Sequence, residues 1–336
     1  MAMTWGLALA TYRRPDMLLR CIQHAARQTR PASEIVVVDS SDDWMDSRSA
    51  VEDFLRQKSQ WPGTLTYLPA ERRGACSQRN QAIAACNADV LFILDDDSLM
   101  YPDAAAQILQ LYEQDATQTI AAVQPRLATR PPESEEAPQA GGSAGFLHSF
   151  AAAVNRWLKG PFFPAHGQQP DYDLTMFGDS VHRIEQLHGA RMTARREAIQ
   201  RCRFDEAIVI NYHDDSEISW RLASVGALVE LDAPLIFHAE AARPADGSRR
   251  DFRTRAAWVL NHAYLCRKLF GDSAETERAI RRYARGTAIL DLFTGLARRD
   301  LSSFRGSNHA RRRLPALLRA SRETMASVLI AESEKL

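Results

Sequence analysis

The sequence has few of the features that mark membrane-spanning, secreted or disulfide-rich proteins. None of its apolar runs approaches the roughly 20 residues that a membrane-spanning helix needs. The N-terminus lacks a basic segment followed by a long apolar run, so we expect no signal peptide. The five cysteines are odd in number and show no CxxC spacing, which is typical of reduced thiols. We therefore expect a protein of the cytoplasm.

The chain also lacks the glycine-rich phosphate loops of the dinucleotide-binding and P-loop folds, and it shows no internal repeat. A bound nucleotide would have to be held in another way. Acidic and basic residues balance overall, at 42 each, but not along the chain. Residues 1–248 contain 23 basic and 33 acidic residues, whereas residues 249–336 contain 19 basic and 9 acidic residues. This asymmetry predicts that the C-terminal region binds an anionic partner or surface.

Short apolar segments alternate with helical segments over the first two thirds of the chain. Runs such as 5–10 and 90–94 are unbroken and apolar, which is typical of strands buried on both faces of a parallel sheet. The alternation predicts βαβ units and an α/β fold. Within this part, residues 193–202 are predicted to be helical and residues 228–231 and 235–238 to be two short strands. Three further helices are predicted after residue 249, at 252–270, 275–297 and 311–331.

Three consecutive carboxylates, Asp95, Asp96 and Asp97, follow the predicted strand 90–94. In open α/β sheets the ligand site lies beyond the carboxyl ends of the strands, where these aspartates are expected. Their mutual repulsion is relieved if a cation binds there, and oxygen ligands suit Mg²⁺ or Mn²⁺. The alternative is an acidic loop that caps the following helix, with Asp97 or Ser98 as the cap.

Several motifs occur together in one order over residues 4–240. The set comprises Ala10-Thr11-Tyr12-Arg13-Arg14-Pro15, Val36-Val37-Val38-Asp39, Gly74-Ala75-Cys76-Ser77-Gln78-Arg79-Asn80, Leu94-Asp95-Asp96-Asp97, Gly189-Ala190-Arg191-Met192, Phe204-Asp205-Glu206 and His213-Asp214-Asp215-Ser216-Glu217. It resembles the family 2 glycosyltransferases, which have the GT-A fold. The resemblance implies a Rossmann-like, mainly parallel sheet flanked by helices, with residues 246–336 as an α-helical extension. It also implies inverting transfer of a sugar from a nucleotide-diphosphate sugar to a hydroxyl acceptor, in polysaccharide or glycoconjugate synthesis.

The resemblance also assigns roles to individual residues. Asp97, Asp95 and His238 become the expected ligands of Mg²⁺ or Mn²⁺, although in this family the first aspartate of the motif can instead contact the ribose. A lone histidine at the end of a strand is also often a simple structural residue. The nucleotide sugar, with UDP, GDP or dTDP as its nucleotide, is expected to contact Thr11, Tyr12, Arg13, Asp39, Arg79, Asp95 and Asp96.

Asp215 is the expected general base, with Asp214 as the next candidate. A carboxylate at the mouth of the sheet can take the proton of a sugar hydroxyl. The alternative is that Asp214, Asp215 and Glu217 only favour the N-terminus of a helix electrostatically. Two other functions stay open, a sugar-phosphate nucleotidyltransferase and an inactive glycan- or lipid-binding relative of the transferases. The first usually has a glycine-rich N-terminal loop that this chain lacks.

We expect a catalytic domain at 1–245, containing a flexible, acceptor-side insertion at 129–180, and a helical region at 246–336. The acceptor is expected to be a glycan or a lipid-linked glycan, and no nucleic acid partner is expected. Residues 298–322 combine many arginines with interleaved apolar residues. This pattern is typical of helices that lie on anionic membranes, here the inner face of the cell membrane. Packing onto the acidic body and a homodimer interface are the alternatives.

Overall fold

The computed structural model describes residues 2–57, 61–134, 157–162, 170–239 and 247–336, with the side chains of 247–249 left out. The chain forms two compact units. The first contains Met1–Gly141, Gln169–Asp205 and Asp215–Ala241, and the second contains Gly142–Gln168, Glu206–Asp214 and Ala242–Leu336. Much of the predicted insertion at 129–180 lies outside the described residues.

The strands of the first unit are β1 (Trp5–Thr11), β2 (Glu34–Asp39), β3 (Thr64–Pro69), β4 (Val90–Asp95), β5 (Ser98–Met100), β6 (Ile120–Leu127), β7 (Val181–Arg183), β8 (Met192–Arg195) and β9 (Ala227–His238). They form one mixed sheet in the order β3-β2-β1-β4-β8-β6-β9-β5, and β7 pairs with β9. The neighbouring strands among β1 to β4 are parallel, whereas β8 is antiparallel to both β4 and β6. Because β6 is therefore parallel to β4, and β9 is parallel to β6, the carboxyl end of β9 lies at the same edge as those of β1, β2 and β4.

The helices of the first two thirds of the chain alternate with the strands as the sequence predicts. Pro15 begins α1, where its missing N–H costs nothing, and Gly74 precedes α3 with a φ of 136°, a conformation that favours glycine. The helices are α1 (Pro15–Ala26), α2 (Trp44–Gln57), α3 (Ala75–Ala85), α4 (Ala104–Gln114), α5 (Arg196–Cys202) and α6 (Asp214–Leu222). Two 3₁₀ helices occur at Thr175–Ser180 and Gly189–Arg191.

The core of the first unit is built on β1, β2 and β4, whose apolar residues are buried on both faces of the sheet. Trp5 packs against Phe92 of the neighbouring strand, with 4.5 Å between the ring centroids. Burial on both faces is the reason these strands read as unbroken apolar runs. The central strands therefore hold their carboxyl ends, and the residues that follow them, in fixed positions.

Three predictions about local structure are wrong. Residues 193–195 are not helical but belong to β8, because tertiary pairing with β4 and β6 overrides the helical spacing. The two short strands predicted at 228–231 and 235–238 are one strand, β9, which stays continuous through register shifts against β6. The helix predicted at 311–331 is divided in two, because Ala320 is extended and the Ser321 hydroxyl accepts a hydrogen bond from the Thr324 N–H at 3.3 Å.

The second unit is helical and contains α7 (Gly247–Phe270), α8 (Ala274–Arg298), α9 (Ser302–Arg319) and α10 (Met325–Glu334). Ser273 caps α8, since its side chain accepts a hydrogen bond from the Thr276 N–H at 3.0 Å. Gly306 of α9 lets that helix approach α7 closely, because a Cβ there would lie 2.3 Å from the Phe252 carbonyl oxygen. Within the described ranges, no helix combines the length and the apolar character needed to cross a membrane.

Candidate active site

The predicted site residues lie along one edge of the sheet in the first unit. Thr11 ends β1, Asp39 ends β2 and Asp95 ends β4. The register places Thr11 beside Asp39 and Ala10 beside Asp95, so the three strand ends are direct neighbours. His238 ends β9 and pairs with Ser98 of β5, which directly follows the three aspartates. This edge is where open α/β sheets bind their ligands.

Asp95, Asp97 and His238 form a cluster that could hold a metal ion. One ligand atom of each residue lies within 4.8 Å of those of the other two. Asp97 Oδ1 is 2.9 Å from His238 Nε2, and the Asp97 carbonyl accepts a hydrogen bond from the Ala239 N–H. Ligands of one Mg²⁺ ion at about 2.1 Å lie up to about 4 Å apart, so small side-chain adjustments bring these atoms into range. Two carboxylates and an imidazole are also a donor set that suits Mn²⁺.

Arg14 contacts the same acidic cluster, which sequence reasoning missed. Its Nη1 donates to Asp96 Oδ1 and to Asp97 Oδ2, each at 3.0 Å. Burial raises the pKa of Asp97, but the hydrogen bond and charge of His238 and the charge of Arg14 outweigh burial, so its pKa lies below the usual value. For Asp96, burial outweighs Thr11 and Arg14, and its pKa is raised. The one signal in the sequence was the pair of arginines between Thr11 and Pro15.

Arg79, near the start of α3, contacts Asp95. Its Nη2 donates to Asp95 Oδ1 at 2.6 Å, and its guanidinium carbon lies 5.3 Å from the Phe204 ring centroid. Gly189 makes room for this pair, since a Cβ there would lie 3.1 Å from Arg79 Nη2 and 3.9 Å from Asp95 Oδ1. Arg79 is only 5% exposed, so its guanidinium fixes the Asp95 carboxylate rather than standing free in the site.

The end of β2 carries a buried carboxylate. Asp39 is 1% exposed, and it accepts hydrogen bonds from the Ser41 N–H at 2.8 Å and from the Tyr67 hydroxyl at 2.7 Å. Burial and the bond to Asp39 raise the pKa of Tyr67. Thr11 donates its hydroxyl proton to Asp96 at 2.7 Å. These contacts fix both strand ends, and Tyr67 was not among the predicted residues.

A second group of predicted residues is exposed. The Arg13 guanidinium carbon lies 5.0 Å from the Tyr12 ring centroid, and that of Arg73 lies 6.0 Å from it. Both arginines pair with Asp42, at 2.9 Å and 2.6 Å. Hydrogen bonding by Arg13 and the charge of Arg73 hold the pKa of Asp42 below its usual range. Tyr12, Arg13 and Arg73 thus form an accessible aromatic and cationic surface beside the buried strand ends.

Asp215 lies in the first turn of α6. Its Oδ1 accepts a hydrogen bond from the Ser216 N–H at 2.8 Å, and its Oδ2 lies 4.0 Å from His188 Nδ1. His188 directly precedes Gly189, the residue that adjoins Arg79 and Asp95. His188, which faces Asp215, and Gly189, which adjoins Asp95, are therefore consecutive residues that link Asp215 to the acidic cluster.

The remaining acids of this helix start are buried. Glu217 is 0% exposed and forms a bidentate ion pair with Arg221, which also donates to the carbonyls of Cys202 and Arg203. These contacts hold α6 in place, so Glu217 acts as a structural residue. Asp214 is also buried, and it belongs to the segment Glu206–Asp214 of the second unit. Asp215, whose side chain is 25% exposed, is the more accessible of the two predicted base candidates.

Comparison with known proteins agrees with this arrangement. Residues 7–158 match the family model for glycosyl transferase family 2. No curated protein sequence matches the chain. Among 260 matching chains of solved structures is the mannosyltransferase PcManGT from Pyrobaculum calidifontis in complex with GDP-Man and Mn²⁺. It has 19% identity and a TM-score of 0.51, with 100% of this chain and 87% of that chain covered.

A second solved structure is GalNAc-T7 with UDP, GalNAc and Mn²⁺, at 14% identity and a TM-score of 0.56. The match covers 93% of this chain but 55% of that chain, so this protein spans about half the length of that enzyme. At such identities the likeness concerns the fold, which is GT-A. The prediction of an α/β GT-A fold with a helical C-terminal region is confirmed. The family match over residues 7–158 and the GT-A fold together support a glycosyltransferase.

Proposed function

We propose that the protein is an inverting, metal-dependent glycosyltransferase that moves a sugar from a nucleotide-diphosphate sugar to a hydroxyl acceptor, in polysaccharide or glycoconjugate synthesis. The observation that carries this proposal is the cluster of Asp95, Asp97 and His238 at the carboxyl edge of the sheet. A partly buried acidic cluster with an adjacent imidazole has little structural purpose, whereas it suits a divalent cation beside a diphosphate.

Asp97, His238 and Asp95 would hold Mg²⁺ or Mn²⁺, and a bound ion would offset the negative charge of the departing nucleoside diphosphate. The role of Arg14 is to counter the charge of Asp96 and Asp97 from the α1 side, at 3.0 Å from each. The role of Arg79 is to fix the orientation of Asp95. With both arginines in place, the carboxylates keep their orientation before the donor binds.

The donor would bind across the ends of β1 and β2, with its diphosphate toward Asp95. Asp39 and Thr11 are held rigidly by their hydrogen bonds and would contact the nucleoside. Tyr12 and Arg13 are exposed and could cover the base or the diphosphate by stacking and charge. We propose a UDP-, GDP- or dTDP-sugar as the donor. Of the two solved structures of similar fold, one contains GDP-Man and the other contains UDP.

Asp215 would act as the general base. In an inverting displacement the acceptor oxygen attacks the anomeric carbon as the bond to the diphosphate breaks, and the hydroxyl proton must be removed on the acceptor side. The Asp215 side chain is 25% exposed, so an acceptor hydroxyl can reach it. Asp214 is buried and is the weaker candidate.

The acceptor would be a glycan or a lipid-linked glycan, bound on the side of residues 129–180. We propose residues 1–245 as the catalytic domain and residues 246–336 as a helical region that contacts the inner face of the membrane. A homodimer remains a second proposal for the helical region. No nucleic acid partner is proposed, because the basic residues of the C-terminal region alternate with apolar ones.

The first experiment is a thermal-shift panel of UDP, GDP, CDP, dTDP and ADP, each with Mn²⁺ or with EDTA. A nucleotide at 100 times its dissociation constant should stabilise the protein by about 2.7 kcal/mol. We expect one nucleotide to respond, only with Mn²⁺, and the response to disappear in Asp97→Ala. A metal-independent response would remove the metal from the proposal, and retention of anomeric configuration in the product would remove Asp215 from its role.

A further inference from the structure

Within the part of the chain that the structure describes, helix α8 carries an exposed apolar stripe. Ile289, Phe293 and Leu296 are 41%, 66% and 60% exposed, and they lie at spacings of four and three residues, so they share one face of the helix. The opposite face, with Tyr283, Ala284, Thr287, Ala288 and Asp291, is buried within the second unit. The three residues are called the α8 stripe below. Single exposed apolar residues are ordinary, but a continuous row on one helix face calls for a partner.

Arginines flank the α8 stripe at both ends. Arg282 and Arg285 continue the same helix face toward the N-terminus, and Arg298 and Arg299 follow the stripe at the C-terminus. All four are exposed. Cationic side chains thus precede and follow the apolar row along the helix, which suits a surface that is apolar inside and anionic at its rim.

An exposed tryptophan adjoins this face. The Trp157 side chain is 73% exposed, and its carbonyl accepts a hydrogen bond from Arg282 Nη2 at 2.6 Å. The following residue, Leu158, packs its backbone onto Gly286, where a Cβ would lie 2.7 Å from the Leu158 carbonyl. The backbone of Trp157 and Leu158 is therefore docked on α8 at Arg282 and Gly286. Tryptophan is the residue most typical of the boundary between lipid headgroups and acyl chains.

The basic segment 298–322 has a different surface from the one its sequence pattern indicates. Leu314 and Leu317 of α9 are 2% and 1% exposed, because they pack inside the second unit. That segment offers arginines but no comparable apolar row. The apolar and cationic features needed for membrane contact are combined on α8.

We propose that the α8 stripe, with Trp157 and the flanking arginines, seats the protein on an anionic lipid surface. The apolar side chains would enter the headgroup region while the guanidinium groups remain at the phosphate level. A second copy of the chain fits less well, because pairing two such faces sets arginines against arginines. Three partly exposed side chains also offer roughly 300 Å², against the about 800 Å² per partner of a stable interface.

The test is co-sedimentation of the full chain with vesicles of phosphatidylglycerol and phosphatidylcholine, compared with vesicles of phosphatidylcholine alone. We expect binding to the anionic vesicles only. Phe293→Ser with Leu296→Ser should weaken it at least tenfold. Arg285→Gln with Arg298→Gln should weaken it by about fivefold for each arginine, which corresponds to about 1 kcal/mol per basic residue.

Two matched controls separate this surface from others. Arg311→Gln with Arg312→Gln removes two exposed arginines of α9 and should change vesicle binding less than twofold. Met176→Ser removes a side chain that is 60% exposed in the first unit and should have no effect. Sugar transfer to a soluble acceptor should be the same in all these variants. A failure of the membrane proposal can therefore be distinguished from a failure of the proposed enzyme function.

Four results would overturn the proposal. They are no binding of the wild-type chain to anionic vesicles, equal binding to neutral vesicles, an undiminished affinity in the Phe293 and Leu296 variant, and an equal loss in the α9 control. Light scattering of the free protein adds a further outcome. A dimer that Phe293→Ser with Leu296→Ser converts to a monomer would assign the stripe to a second copy instead.

Discussion

Replacing Arg14 by glutamine should destabilise the metal-free protein. Arg14 Nη1 lies 3.0 Å from both Asp96 and Asp97, whose side chains are 7% exposed. At an effective dielectric constant of about 20, unit charges about 4 Å apart attract each other by about 4 kcal/mol. The Arg14 side chain is 40% exposed, so solvent screens much of this attraction, and glutamine can still donate one hydrogen bond. We expect a net loss of about 1–2 kcal/mol.

The measurement is the melting temperature in EDTA and in Mn²⁺, and for a chain of this size the loss corresponds to a few degrees in EDTA. Mn²⁺ should stabilise Arg14→Gln more than the wild type, because the acids have lost a competing cation. Arg13→Gln is the matched control: Arg13 and its partner Asp42 are 61% and 65% exposed, so its removal should leave the melting temperature unchanged.

Arg14→Lys, which keeps the charge, should fall between the wild type and Arg14→Gln. Equal melting temperatures of Arg14→Gln and Arg13→Gln in EDTA would refute the electrostatic role of Arg14. Arg14→Gln could also lose the expected stability in EDTA while Mn²⁺ stabilises it no more than the wild type. That result would keep the electrostatic role of Arg14 and count against metal binding at Asp97.

Three further predictions concern the base and the second unit. Asp215→Asn should lower kcat by about 10²–10⁴-fold while the thermal response to nucleotide and Mn²⁺ stays unchanged, and loss of both would contradict a role confined to proton transfer. Burial lowers the pKa of His262 to about 4, so its stability contribution is complete above pH 6.5 and is lost as the pH falls toward 4. Denaturant titrations across this pH range should show that acid lowers the free energy of unfolding of His262→Phe by about 3 kcal/mol less than that of the wild type. An equal loss in the two proteins would contradict the lowered pKa of His262. Gly286→Val should lower the free energy of unfolding by about 1–3 kcal/mol, because its Cβ would strike the Leu158 backbone, whereas an unchanged midpoint in denaturant would show that this segment is not docked there.

The His262 prediction depends on groups from each element packed around the ring. Its Nε2 contacts the Phe162 carbonyl at 2.8 Å, and its ring stacks on Tyr283 with 3.6 Å between centroids. Among the described residues, the titratable or charged groups near it are Tyr283, Cys266, His213 and Lys159. None of these is a carboxylate that would stabilise the imidazolium, so burial decides the direction of the shift.

The sequence by itself determined the arrangement of strand ends. Apolar runs such as Val90–Asp95 read as buried strands, and a parallel sheet places their carboxyl ends at one edge. That rule placed Asp95, Asp96 and Asp97 at this edge, and the family resemblance added Thr11, Asp39 and His238. Each of these predictions depended on local patterns that a few neighbouring residues specify.

Contacts between distant residues were decided only by the tertiary structure. Arg14 reaches Asp96 across 82 positions, and neither residue reveals its partner in the sequence. Residues 193–195 have helical spacing but lie in β8, since two neighbouring strands supply hydrogen bonds that a helix would otherwise make internally. The exposed row on α8 and the buried apolar residues of α9 looked alike as amphipathic patterns. Periodicity shows that a helix has an apolar face, and only packing decides whether that face is covered.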